Sequence, residues 1–124
     1  LKDKFDGSVA AVNLVSTLYS RGRQSFWKLN VEGAAQVANE ARLQGVTSLV
    51  HISALGVEDA EETHYGSTKK QGETKVREAF PNAVILRPSL IFGVGDGFFD
   101  RFARMSNRSP FLPLIGGGKT SFQP

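Results

Sequence analysis

Three short apolar runs alternate with two segments of helical periodicity, and this alternation restricts the folds that the chain can adopt. The apolar runs cover residues 9–15, 47–52 and 83–86. Small apolar residues recur at helical spacing over residues 24–44, and a second helical pattern covers residues 65–80. Continuously apolar strands that alternate with helices are typical of a parallel sheet. The sequence therefore predicts an α/β fold in the order strand–helix–strand–helix–strand.

This order leaves one face of the predicted sheet without a cover. Right-handed crossovers place both predicted helices on the same side of three parallel strands. A bare apolar face of that size is unfavourable on a free monomer. We therefore expect a Rossmann-like, doubly wound parallel sheet of which only the second half, strands four to six with their helices, is present.

No glycine motif in the chain has the spacing of a phosphate cradle. Gly93, Gly95 and Gly97 follow the third apolar run, but their spacing does not match Gly-x-Gly-x-x-Gly. The run Gly116–Thr120 resembles the end of a P-loop, but Pro113 occupies the position where that motif requires glycine. We expect the phosphate-binding glycines to belong to the absent first half of the domain.

Composition argues against several classes of site. The chain has no cysteine, and its two histidines, His51 and His64, lack a neighbouring carboxylate pattern that would bind a metal. His51 lies within an apolar run and is expected to pack in the core. The formal net charge is +3, but no basic run is interleaved with aromatic residues, which argues against nucleic-acid binding. No apolar run is long enough to span a bilayer.

The residues best suited to catalysis are Ser53, Tyr65 and Lys69. Tyr65 and Lys69 are four residues apart in a predicted helix, so the phenol and the ammonium share one helical face. An ammonium group this close stabilises the phenolate, which makes the tyrosine usable as a general acid or base. Ser53 ends the second apolar run, where its hydroxyl would hold a substrate oxygen. A Tyr-x-x-x-Lys spacing alone is common, so the hypothesis depends on the serine and on the strand-then-helix order.

Four local patterns resemble the extended or atypical short-chain dehydrogenases/reductases, the NAD-dependent epimerase/dehydratase-like family. Tyr65–Lys69 resembles the Tyr-x-x-x-Lys helix of that family, and residues 49–56 resemble its serine-bearing strand. Asn30–Gly33 resembles its Asn-x-x-Gly motif, and Leu86–Gly93 resembles the Arg-Pro segment that passes the nicotinamide. The four patterns occur in the order and at the spacing of the family.

The resemblance implies a role for each matching residue. The implied catalytic residues are Ser53, Tyr65, Lys69 and Asn30. Tyr65 would exchange the proton, Lys69 would also bond the nicotinamide ribose, and Ser53 would hold the substrate carbonyl or hydroxyl. Asn30 would link a water to the lysine, or would instead be a helix N-cap or a polar turn residue. The residues implied in cofactor binding are Leu14, Val15, Ser16, Tyr65, Lys69, Pro88 and Ile91.

Other residues have two interpretations. Arg87 would contribute to the nicotinamide-side segment or would pair with a carboxylate of the fold. Phe98, Phe99, Arg101 and Arg104 would begin the substrate side, or the phenylalanines would pack as the apolar face of a helix over residues 96–107.

Two late segments, residues 98–102 and 112–124, resemble more narrowly the branch that contains the NAD(P)H-binding accessory subunit of respiratory complex I and its bacterial relatives. Two functions follow from the resemblance. The first is NAD(P)-dependent oxidoreductase or epimerase-type chemistry through a Ser–Tyr–Lys triad. The alternative is a non-catalytic NAD(P)H-binding accessory or assembly subunit of complex I. A small Rossmann-like interaction module is a third alternative.

The resemblance also implies the surroundings of the chain. Residues 1–124 would form part of an NAD(P)-binding Rossmann domain, in which residues 94–124 begin the substrate-side region. The cofactor would be NADP or NAD, the substrate would be a small molecule, and the partner would be complex I or a second copy of the chain. The location would be the cytoplasm of a bacterium, or the matrix side of the inner membrane for a complex I subunit.

Overall fold

The computed structural model describes residues 2–22, 24–59, 62–109, 111 and 115–119. The chain divides into two compact units, one up to Arg87 and the other from Pro88 onwards. The first unit contains the three predicted strands, β1 at Ala10–Asn13, β2 at Ser48–Ile52 and β3 at Val84–Leu86. All three strands are parallel and lie in the order β1–β2–β3, so the α/β prediction is confirmed.

Two helical segments connect the strands. The first begins with a π-helical stretch, Trp27–Gly33, which continues directly into the α-helix α1, Ala34–Leu43. The second is α2, His64–Ala79. Because α1 packs against α2 and also contacts β1 and β2, both helices lie on one face of the sheet, as the handedness of the crossovers predicts.

The core lies between these helices and the covered face of the sheet. Ala34, Ala38 and Ala41 of α1 are completely buried, since small side chains let the helix approach its neighbours closely. The other buried residues of this core are Ala11, Val37, Val46, Leu49, Val76, Phe80 and Ala83. Gly45 follows α1 with a φ of 79°, the left-handed conformation that glycine adopts most readily after a helix.

The opposite face of the sheet is bare within the first unit. Val12, Val50 and Val84 lie side by side across the three strands, and Ile52 pairs with Leu86 in the next row. The side chains of Val12, Val84 and Leu86 are 60%, 52% and 48% exposed. The predicted uncovered apolar face is therefore present in the structure.

The second unit contains one longer helix, α3, at Phe99–Ser106. The Asp96 carboxylate accepts backbone N–H groups of Phe98, Phe99 and Asp100, and thereby caps the start of this helix. Residues 115–118 form a short 3₁₀ turn, whereas Pro110 and Pro113 lie outside the described residues. Within the part of the chain that the structure describes, no helix is both long and apolar enough to cross a membrane.

Candidate functional site

The predicted reactive residues of the first unit lie at the carboxyl edge of the sheet or beside it. Residues 14–16 follow β1, Ser53 follows β2 and Arg87 follows β3. Ligands of open parallel α/β sheets bind outside this edge. The strand order therefore brings together segments that are far apart in sequence.

Ser53 combines burial with an unused hydroxyl group. Its backbone N–H donates to the carbonyl of Leu86 at 2.7 Å, which holds the end of β2 against the end of β3. The residue is 5% exposed, and its Oγ atom has no hydrogen-bond partner among the described residues. Because buried hydroxyl groups are nearly always hydrogen-bonded, the Ser53 hydroxyl is suited to form a hydrogen bond with an atom from outside the described residues.

Lys69 is almost fully buried beside the same strand end. Its ammonium group donates to the carbonyl of Ile52 at 2.7 Å, so the α2 side chain is held one residue before Ser53. Burial lowers the pKa of Lys69, and the nearby Glu73 carboxylate opposes this lowering. An ammonium group has three donors, and this is its one hydrogen bond among the described residues.

Tyr65 lies in the first turn of the same helix. Thr63 is the N-cap of α2, and its hydroxyl accepts a backbone N–H of the first turn at 3.0 Å. The Tyr65 ring is half-buried and meets the ring of Phe26 edge-on, with centroids 6.1 Å apart. No hydrogen bond joins its hydroxyl to Ser53 or Lys69 within the described ranges. The structure thus brings Lys69 to the strand end that precedes Ser53, while the contact of Tyr65 with them stays a prediction.

Next to this strand end, the buried Glu73 carboxylate forms an ion pair with Arg87, whose side chain is 33% exposed. Arg87 donates through Nε to Oε1 at 2.9 Å and through Nη2 to Oε2 at 2.7 Å, and a third nitrogen reaches Glu58 at 2.7 Å. Burial alone would raise the pKa of Glu73, but the hydrogen bonds and charge of Arg87 outweigh it and the pKa is lowered. The Ser53 hydroxyl adds to this lowering, although its geometry to the carboxylate falls short of a hydrogen bond. Arg87 therefore pairs with carboxylates of the fold, one of the two interpretations that the sequence left open.

His51 and Asn13 form a polar pair in the covered face of the sheet. His51 is buried, as the sequence predicts, but its role as a bonding partner of Asn13 was not predicted. Asn13 accepts the N–H of Val15 at 3.0 Å through Oδ1, which orients its Nδ2 atom towards Nδ1 of His51 at 3.0 Å. The ring therefore accepts at Nδ1 and carries its proton at Nε2, which has no partner among the described residues. Burial, and secondly the charge of Lys69, lower the pKa of His51 to about 4, so the ring is neutral at physiological pH.

Asn30 lies inside the π-helical stretch, so the N-cap interpretation is wrong. Its Oδ1 atom accepts the hydroxyl of Ser16 at 3.0 Å, and its Nδ2 atom donates to Thr68 at 3.1 Å. Both ends of the amide are therefore engaged, and the implied link through water to Lys69 stays a prediction. The neighbouring backbone of α2 is at Gly72, where an added β-carbon would overlap the carbonyl oxygen of Asn30.

The residues implied in cofactor binding divide between the two units. Residues 14–16 are exposed and directly follow β1 in the first unit. Pro88, half-buried, and Ile91, 73% exposed, belong to the second unit. In the first unit, an exposed loop at the ligand-binding edge fits a dinucleotide. The hydroxyl of Ser53 and two donors of Lys69, which have no partner within the described ranges, support the same fit.

The second unit contains a cavity of about 570 Å³, whose charged lining consists of three arginines and the carboxylates Asp96 and Asp100. Arg101, Arg104 and Arg108 line it together with Met105 and Phe111. The predicted apolar face of α3 is only partly covered, because none of the helix residues is fully buried. Among the described residues, no cluster of metal-binding side chains is present.

The fold and the residues at its edge define the class of the protein. The chain contains half of a Rossmann-like sheet, with a serine directly after one strand and a lysine bonded to the end of that strand. Together with the family match, these features define a reductase-like domain of the NAD(P)-binding, short-chain dehydrogenase/reductase-like superfamily. The chain belongs to the family described as the RmlD substrate binding domain, whose family model matches residues 10–115.

Relatives of the chain include both a respiratory subunit and an enzyme. The chain is 30% identical over 102 residues to the mitochondrial NADH dehydrogenase [ubiquinone] 1 alpha subcomplex subunit 9 of Dictyostelium discoideum, covering 82% of this chain and 28% of that protein. It is 30% identical over 109 residues to the ceramide reductase of Caulobacter vibrioides, covering 88% of this chain and 34% of that protein. The chain thus spans about a third of the length of the curated relatives it matches.

A solved structure shares the fold. The dTDP-4-dehydrorhamnose reductase of Clostridium acetobutylicum superposes with a TM-score of 0.66 at 22% sequence identity, over 81% of this chain and 41% of that one. The expected resemblance to short-chain dehydrogenases/reductases, including the branch with the complex I subunit, is therefore confirmed.

Proposed function

We propose that this chain is the proton-handling half of an NAD(P)H-dependent reductase that acts on a carbonyl group. The observation that carries the proposal is the buried hydroxyl of Ser53, which has no hydrogen-bond partner within the described ranges and follows the strand end that the Lys69 ammonium holds. A buried donor without a partner costs free energy, about 1–3 kcal/mol, so such a group is retained most readily where a ligand satisfies it.

Each residue has a distinct task in this reaction. A reduced nicotinamide dinucleotide supplies the hydride when it is bound. Ser53 donates its hydroxyl hydrogen to the substrate oxygen and holds the carbonyl in place. Tyr65 gives its phenolic proton to that oxygen as the carbonyl carbon is reduced, so that an alcohol results. Lys69 stabilises the phenolate left behind, and its free N–H donors are suited to ribose hydroxyls.

Substitution of the two tyrosines tests this assignment in the natural protein. Tyr65→Phe keeps the ring against Phe26 and removes only the proton, so carbonyl reduction should fall by about a hundredfold or more. The affinity for NADPH or NADH should stay within about twofold, because a proton donor contributes little to ground-state binding. Tyr19→Phe is the matched control, since Tyr19 is 73% exposed in a loop. Equal turnover by the two variants would refute the catalytic role of Tyr65.

A structural role in a respiratory assembly is the second candidate function. It is favoured by the similarity to the NADH dehydrogenase subunit of Dictyostelium discoideum and by the arginines on the exposed side of α3. In that case the dinucleotide would be retained through purification and would not be oxidised by added carbonyl compounds, because a structural cofactor is not exchanged at each turnover. The basic surface would suit an acidic protein partner or anionic headgroups at the membrane.

Cell fractionation separates the two candidates. A respiratory subunit should be recovered with respiratory membranes at low salt and should carry a dinucleotide that exchanges slowly. Recovery in the supernatant, together with rapid exchange of NADPH, would support the reductase and exclude the assembly role. Recovery with the membranes would favour a location at the matrix side of the inner membrane. Recovery in the supernatant would favour the cytoplasm of a bacterium.

A further inference from the structure

Two buried asparagines hold the loop after β1, and each ties it to a different element of the candidate site. The first is Asn13, which is 2% exposed. Its Oδ1 atom accepts the N–H of Val15 at 3.0 Å, and its Nδ2 atom donates to His51 of β2 at 3.0 Å. His51 lies two residues before Ser53, so its side chain is on the same face of β2. This amide therefore joins the loop to the strand that ends in the candidate substrate-binding serine.

The second asparagine makes the equivalent link to α2. Asn30, 1% exposed, accepts the hydroxyl of Ser16 at 3.0 Å through Oδ1 and donates to Thr68 at 3.1 Å through Nδ2. The Thr68 hydroxyl in turn lies 2.8 Å from the backbone carbonyl of His64 and 3.0 Å from that of Tyr65, either of which can accept its proton. The same asparagine thus connects the loop to the turn of α2 that carries the candidate proton donor.

This second link depends on a close approach between two backbones. α2 lies so close to the π-helical stretch at Gly72 that a β-carbon there would be 3.2 Å from the carbonyl carbon of Asn30 and closer still to its oxygen. The approach brings Thr68, one turn earlier in α2, within reach of the Asn30 amide. The packing of the two helices therefore serves a polar contact as well as the core.

We propose that Asn13 and Asn30 are positioning residues that hold the loop of residues 14–16 in register with Ser53 and Tyr65. A dinucleotide bound at this loop would then be aligned with the groups that hold the substrate and move the proton. The role of the loop in ligand binding rests on the proposed function, whereas the clamp formed by the two asparagines does not. The reaction needs such alignment because the donor and acceptor atoms must meet within a narrow range of distance and angle.

Thr68 allows the clamp to be opened without touching the ligand or either asparagine. Thr68→Val keeps the size of the side chain and removes the acceptor of the Asn30 hydrogen bond. Thr74→Val is the matched control, because the Thr74 hydroxyl in the same helix donates to the carbonyl four residues earlier and has no other bond among the described residues. Thr68→Ser restores the hydroxyl and should behave as the unmodified protein.

Two measurements on the natural protein test the proposal. Amide hydrogen exchange of residues 14–16, followed without any ligand, should become roughly fivefold faster in Thr68→Val, which corresponds to one lost hydrogen bond. Fluorescence titration with NADPH and with NADH should show the dissociation constant rising by a similar factor, about fivefold. Thr74→Val and Thr68→Ser should stay within about twofold on both measurements.

The outcomes distinguish the clamp from the proposed function. Unchanged loop exchange in Thr68→Val would overturn the part of the clamp that runs through Asn30. Faster loop exchange with unchanged dinucleotide affinity would show that the clamp is structural and would overturn its positioning role. If the unmodified protein bound neither NADPH nor NADH, the proposed function and the positioning role would both fail, while loop exchange would still report on the clamp alone.

Discussion

Replacing Gly72 by alanine is the sharpest test of the packing beneath the candidate site. Alanine would place its β-carbon inside 3.0 Å of the Asn30 carbonyl oxygen, a separation that real β-carbons do not show. The obstacle is backbone rather than a flexible side chain, so α2 and the π-helical stretch must move apart. Such overpacking costs about 1–3 kcal/mol. Separation of the two segments would also weaken the buried hydrogen bond from Asn30 to Thr68, at a cost of about 1 kcal/mol.

Helix propensity acts in the opposite direction and sets the net effect. Alanine is favoured over glycine inside a helix by about 1 kcal/mol. The free energy of unfolding of Gly72→Ala should therefore fall by about 1–3 kcal/mol, the overpacking and the lost hydrogen bond less the gain in propensity. Urea denaturation followed by circular dichroism measures this change in the natural protein.

Gly33→Ala is the matched control for this substitution. Gly33 is also helical, and its added β-carbon would meet only the carbonyl oxygen of Lys28 at 3.2 Å. A shift of a few tenths of an ångström accommodates that contact, so the free energy of unfolding should change by less than about 1 kcal/mol. A Gly72→Ala protein as stable as Gly33→Ala would refute the close approach of α2 to Asn30.

Three further predictions follow from the charges and the bare face. The pKa of His51 is about 4 in the folded chain against 6.5 when unfolded, so the unfolded chain binds more protons between these values. The free energy of unfolding, measured by urea titration at each pH, should therefore fall by about 3 kcal/mol as the pH drops from 6.5 to 4. His51→Phe should abolish this loss, and the control His64→Phe should retain it. Because the pKa of Glu73 is lowered on folding, Glu73→Gln should cost about 2 kcal/mol at neutral pH, a difference that disappears in acid as the pH falls through the folded pKa. The exposed control Glu78→Gln should change stability by less than about 0.5 kcal/mol, and an effect as large as that of Glu73→Gln would contradict the pairing of the buried Glu73 with Arg87. Residues 1–124 on their own should bind a hydrophobic dye through the bare sheet face, and Val84→Thr should reduce the fluorescence gain; no dye binding would indicate that the face is covered.

The order of the elements was predictable because local patterns determine it. The apolar runs, the helical periodicity and the helix ends marked by Gly45 and Pro81 all depend on residues within a few positions of one another. The parallel arrangement and the bare face followed from the handedness of the crossovers, which is a general property of such connections. The predicted bounds differ from the observed ones by up to three residues, as at β1, where the apolar run continues into the loop beyond Asn13.

The candidate site was predictable only in part. Ser53 and Lys69 were found from a strand end and a helical spacing, and the structure places the Lys69 ammonium on the residue before Ser53. Asn13 was missed because a polar residue near the end of an apolar run carries no local sign of its partner. His51 was correctly expected to be buried, but its hydrogen bond spans 38 residues of sequence.

The sequence by itself determined the fold class, the order of its elements and the residue types available for proton transfer, since these depend on local periodicity and on short motifs. Only the tertiary structure decided how those residues are used. It paired Arg87 with Glu73, engaged both ends of Asn30 and gave the Ser53 hydroxyl no hydrogen-bond partner in the part of the chain that the structure describes. The physical reason is that hydrogen bonds and burial depend on distances between segments far apart in the chain. Those distances are set by how closely α2 can approach the π-helical stretch and the sheet.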